Sequence, residues 1–141
     1  MKHLIIAVLI CLTSAACGKV APPVDSAQQT PEQVVMKTYE LMFKGDFEAA
    51  KAMFDQRLLN AVFPSTHPQG FAGHYQEQIA PWTQANLQTK VIGNDYNKEV
   101  WRARVWSEDD KGAEDPAGAQ HDLAIIDGRW LLVNWSDFPK N

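Results

Sequence analysis

The side chains best suited by type to move a proton are His67, His74 and His121, with Asp122 beside the last. General acid–base chemistry asks such a group for a positioned partner and a tuned pKa. His67 stands between Thr66 and Pro68, in a stretch that reads as a solvated loop. His74 adjoins Tyr75 on a predicted helix and is the best single candidate, yet nothing nearby in sequence supplies it with a partner. His121-Asp122 opens a predicted strand, where neighbouring residues point to opposite faces, so the two cannot act together on one substrate. A zinc site would ask for two His and a carboxylate at helical or strand spacing, and no such set occurs. Glu108-Asp109-Asp110 and Glu114-Asp115 lack the Asp-x-Asp-x-Asp-Gly frame of a calcium loop. They read as a solvated acidic loop that discourages edge pairing with other sheets. Ser65 and Ser107 lack Gly-x-Ser-x-Gly surroundings, and Gly70 to Gly73 is too sparse to cradle phosphate. No residue set specifies a reaction, so the expectation is a non-enzymatic chain with no metal and no cofactor.

Cys17 offers chemistry of another kind. Met1-Lys2-His3 gives a positive start, Leu4 to Leu12 is an apolar run, and Thr13-Ser14-Ala15-Ala16 are small. This order describes a secretory signal peptide. The run is too short to span a bilayer, which takes about 20 apolar residues. Cys11 is a poor rival, since Leu9 and Ile10 are too bulky for a cleavage site. Ending the leader on Cys17 resembles the lipobox of bacterial lipoproteins, although Ser14 stands where that motif usually carries Leu. The resemblance implies a thioether-linked diacylglycerol and an amide-linked fatty acid on Cys17. Each buried methylene contributes about 0.8 kcal/mol, and two or more chains hold lastingly. Gly18, where inner-membrane lipoproteins often carry Asp, resembles an outer-membrane signal of a Gram-negative cell, with the domain facing the periplasm.

Cleavage before Cys17 removes one of the 13 basic residues, Lys2, and leaves 12 against 17 acidic, a formal charge of −5. That balance speaks against nucleic acid, whose phosphates want a basic patch. Cys17 is then the sole cysteine, so a fold in an oxidising compartment stands without a disulfide. Residues 31–137 are enough chain to bury a core unaided. Gly18 to Thr30, with Pro22-Pro23 and few groups that could pack, reads as a tether. At about 3.3 Å per residue it reaches roughly 40 Å.

The elements that must position these residues are legible in part. Thr30, Pro31, Glu32 and Gln33 form a capping box before Val35, Tyr39, Met42 and Phe43 at helical spacing. Gly45 stops that helix and Asp46 caps a second, carrying Phe47, Ala50, Met53 and Phe54 inward, with a further helical turn or two through Leu58, Leu59, Val62 and Phe63. A third long helix is expected from Phe71 to Ala85, kinked near Pro81, with Tyr75, Ile79 and Trp82 on one side. Leu87–Ile92, Val100–Trp106, His121–Ile126 and Trp130–Trp135 read as strands, and Asp127-Gly128 joins the last two as a hairpin. Trp101, Ala103 and Val105 alternate with Arg102, Arg104 and Trp106, so one sheet face is apolar and the other mixed. Helices first and an antiparallel meander last is an α+β pattern.

Thr30-Pro31-Glu32-Gln33-Val34-Val35, Tyr39 and Gly45-Asp46-Phe47-Glu48-Ala49-Ala50 resemble the opening of the small NTF2-like lipoprotein domains of the DUF4878 type. Ile126-Asp127-Gly128-Arg129-Trp130-Leu131-Leu132 is similar to their closing hairpin. The resemblance covers residues 30 to 135 and implies a cone: helices against a curved antiparallel sheet, often with a pocket between. Most such domains bind, and a minority are enzymes that set an Asp or His base inside the cone, so fold does not settle function. The expectation is a membrane-anchored binding or accessory module for a protein partner or a small apolar ligand. The alternatives are a periplasmic inhibitor or immunity lipoprotein, and a small enzyme led by His74. His74, Tyr75 and Trp82 are the ligand-binding candidates. Arg102, Arg104 and Trp106, aromatic beside arginine, have the composition of a hot spot for a protein partner or a homodimer through the sheet face.

Overall fold

The computed structural model describes residues 29–93, 99–108 and 118–138. The leader and Cys17, the tether before Gln29 and the acidic segment 109–117 lie outside the described residues. Helix α1 spans Pro31–Phe43, and its start follows the capping box. The Thr30 amide donates to Gln33 Oε1 at 2.9 Å, and the Gln33 amide donates to Thr30 Oγ1 at 3.3 Å. Gly45, at φ +75°, takes the left-handed turn that ends α1. Asp46 then caps α2, Phe47–Lys51, by accepting from the Ala49 amide.

The second helix is shorter than its pattern predicts, and the reason lies in the sheet. Met53 and Phe54 leave the helical path because the Leu132 amide donates to the Met53 carbonyl at 2.9 Å. The Asp55 amide in turn donates to the Leu132 carbonyl at 2.8 Å. This short parallel bridge covers the outer edge of the last strand. Asp55 caps α3, Gln56–Val62. Helix α4, Gly70–Ile79, ends well before Ala85, the end expected from sequence. Pro81 carries no amide hydrogen and cannot continue the ladder. Trp82 therefore sits in the turn after the helix, and Gln84–Asn86 form a single 3-10 turn.

Strands β1 (Leu87–Gly93), β2 (Trp101–Ser107), β3 (Ala119–Ile126) and β4 (Arg129–Val133) follow in spatial order β1-β2-β3-β4, all antiparallel. The β1–β2 register slips between Val91 and Gly93, a bulge that bends the sheet. Asp127 and Gly128 both have positive φ, 50° and 75°, which fits a two-residue hairpin loop. The last strand stops at Val133, two residues short of expectation, and Trp135 begins a 3-10 turn.

The inner sheet face carries Ala103, Val105, Leu123, Trp130 and Leu132, packed under Val34, Val35, Tyr39 and Met42 of α1 and Phe71, Tyr75 and Ile79 of α4. Trp130 is thus a core residue and not part of an exposed face. Trp101 alternates with the same face but is 38 % exposed and outside the core cluster. A smaller cluster on the other side of the sheet joins Val100, Ala124 and Val133 with Ile126, Leu131 and Phe138.

Candidate functional site

The helices do not close over the end of the sheet where β3 begins. A cleft of about 410 Å³ remains there. Phe54, Leu58, Val62 and Phe63 form one wall, His74, Tyr75 and Gln78 of α4 a second, and Ala119 to Asp122 of β3 with Val133 and Asn134 the third. Most of these groups are apolar or aromatic. Phe63 lies edge-on to Phe71 at 5.3 Å and to His74 at 5.2 Å, and Phe54 lies edge-on to Phe71 at 5.1 Å. Such ring pairs give the wall a fixed shape.

The polar centre of the cleft is His121. Strand alternation puts it on the same face as Leu123, opposite Ala103 of β2, and so inside the cone. Its Nε2 lies 3.0 Å from the Tyr39 hydroxyl, a contact between residues 82 positions apart. Burial pushes His121 down to about 4, so the imidazole is neutral at neutral pH. Burial, with Tyr75 adding to it, raises the Tyr39 phenol well above its usual range, against a hydrogen bond from the Gln78 side chain that lowers it. Burial also raises Tyr75. His121, Tyr39 and Tyr75 are therefore uncharged at neutral pH.

The other candidates fall elsewhere or take lesser parts. His74 is at the rim, its ring 5.1 Å from Tyr75. His67 lies 6.3 Å from His74 but turns its Nδ1 to accept from the Gly70 and Gln69 amides at 3.0 and 3.3 Å, capping the start of α4. Trp82 is buried and stacks on Tyr39 with centroids 5.7 Å apart, outside the cleft lining. Asp122 accepts from Arg102 Nε at 2.8 Å, engaging Arg102 on the outer sheet face. Arg104 and Trp106 are half-buried on that same face, and the Trp135 side chain lies outside the described residues. Among the described residues no three His, Cys, Asp or Glu side chains converge as a metal-binding group. None of their helices is long and apolar enough to cross a membrane.

Sequence reasoning counts His121 among the candidate bases but sets it below His74, and it misses the pairing with Tyr39. Alternation with Leu123 carries the signal for its inward direction, but no local pattern points to Tyr39.

No family model matches the chain, and no curated protein matches it significantly. Among solved structures it is similar to a Campylobacter jejuni protein named as a candidate NTF2-like transpeptidase, with a TM-score of 0.51 and 15 % identity. The match covers 75 % of this chain and 99 % of that one. The fold is NTF2-like. Helices packed on a four-stranded antiparallel meander agree with that architecture, and the α+β class read from sequence stands.

Proposed function

We propose that this chain is a lipid-anchored binding module of the small NTF2-like lipoprotein type, whose cone cleft takes a small, mainly apolar ligand. The observation that carries the reading is the cleft itself: aromatic and aliphatic walls beside a neutral His121 that the buried Tyr39 bonds from behind, with Gln78, Gln120 and Asn134 as further polar groups in the lining. A concave apolar site with a few convergent polar groups is the usual form of a small-molecule pocket. The anchor rests on the leader and Cys17, which put the domain on the periplasmic side of the outer membrane in this reading. Binding is favoured over catalysis because a histidine pushed down to about 4 is mismatched to proton transfer at neutral pH. Transpeptidation, the activity in the neighbour's name, runs through a Ser or Cys nucleophile. Among the described residues the cleft lining holds neither.

Native mass spectrometry of the purified full chain, offered a library of small apolar compounds, tests this reading. The wild-type chain retains a compound, and Phe63→Arg, which puts a guanidinium into the wall, loses it while keeping its circular dichroism. No uptake by wild type, or equal uptake by the variant, ends the reading.

A further inference from the structure

The hydrogen bonds around His121 determine what kind of ligand atom the cleft can satisfy. A neutral phenol is a strong donor through its O–H and a weak acceptor at its oxygen, whereas an unprotonated imidazole nitrogen is a strong acceptor. At 3.0 Å the Tyr39 O–H therefore donates to His121 Nε2. An imidazole that accepts at Nε2 carries its proton on Nδ1. No buried side-chain nitrogen or oxygen among the described residues lacks a partner, and Tyr39 is the hydrogen-bond partner of His121. The Nδ1–H is therefore open to the cleft that the ring lines.

We propose that the cleft selects an uncharged ligand bearing one hydrogen-bond acceptor, of the carbonyl or ether class, which takes the Nδ1–H of His121. This rests on the cleft being the binding site. A pure hydrocarbon leaves the N–H unpaired when it displaces water. A carboxylate meets no Lys or Arg in the lining and faces a ring that burial keeps neutral.

The test uses the full chain labelled with 15N at histidine and held in lipid nanodiscs, with three shape-matched probes: 2-acetonaphthone, 2-isopropylnaphthalene and 2-naphthoate. Two-bond 15N–1H correlations should show the Nδ1–H tautomer for His121. The ketone should shift that nitrogen and bind roughly three- to tenfold tighter than the hydrocarbon, with naphthoate weakest. An Nε2–H tautomer, equal binding of ketone and hydrocarbon, or tightest binding of naphthoate overturns the acceptor rule and leaves the cleft reading intact. If no probe perturbs cleft residues, the cleft reading falls and takes this inference with it. Tyr39→Phe removes the directing hydroxyl, so the ring should populate both tautomers and the ketone's advantage should shrink. An undiminished advantage in a folded variant also counts against the rule, while the wild-type tautomer decides the matter if the variant does not fold.

Discussion

Acidification should weaken the fold through His121. Burial lowers this histidine from 6.5 to about 4, so the unfolded chain takes up a proton that the folded chain excludes. Stability therefore rises with pH across that window, is complete above 6.5, and is lost progressively as pH falls toward 4. The whole gap corresponds to about 3 kcal/mol at 1.36 kcal/mol per pH unit. Between pH 7 and pH 5 the share is a little under 2 kcal/mol, and the ring edge open to the cleft trims it to about 1–2 kcal/mol. For a domain of this size that is roughly 5–10 °C in Tm. The assay is urea unfolding followed by tryptophan fluorescence at pH 7 and pH 5, for wild type and His121→Gln. Glutamine can still bond Tyr39 but does not titrate, so the loss on acidification should shrink by about 1–2 kcal/mol in the variant. Asp55 does not confuse the comparison. Its burial acts to raise it, but the Arg57 guanidinium and the Arg57 and Leu58 amides outweigh this and lower it below 3.8, so its contribution is lost only at more acid pH. If wild type and variant lose the same stability between pH 7 and 5, His121 titrates as a solvated histidine, and a neutral, water-excluded centre for the cleft is refuted.

Tyr39→Phe leaves His121 Nε2 without its buried partner and should cost about 1–3 kcal/mol at pH 7, read from the urea midpoint. A cost near zero means water reaches that nitrogen. Phe54→Ala opens a cavity among Phe71, Tyr75 and the sheet and should cost about 3–5 kcal/mol by the same measurement. Gly128→Val forces a β-branched residue to φ +75° and should cost about 1–2 kcal/mol, whereas Gly128→Asn should be tolerated. Cys17→Ala should move the protein from the envelope pellet to the soluble fraction on cell fractionation; unchanged sedimentation would falsify the lipid anchor.

The features legible in the sequence are those whose physics closes within a few residues. Thr30 and Gln33 satisfy each other's backbone amides across one helical turn, and Asp46 caps α2 in the same local way. Asp127-Gly128 has the chemistry that a twisted two-residue hairpin favours at two positive φ values. From such pieces the order of helices and strands, and with it the α+β class, can be read directly.

Other features depend on distant partners. The early end of α2 has no local signal because Met53 and Asp55 are held by Leu132, a strand residue nearly eighty positions away. Trp130 and Trp106 are both strand tryptophans, yet one is core and the other outer face, because side is set by register against neighbouring strands. The site shows this most plainly. His74 stands out in the sequence through its neighbour Tyr75, while the polar centre of the cleft is His121 bonded to Tyr39. Local sequence determined which backbone each of those two residues would occupy. Only the folding of α1 across the sheet brought them within 3.0 Å and away from water, and that burial is what makes the pair neutral.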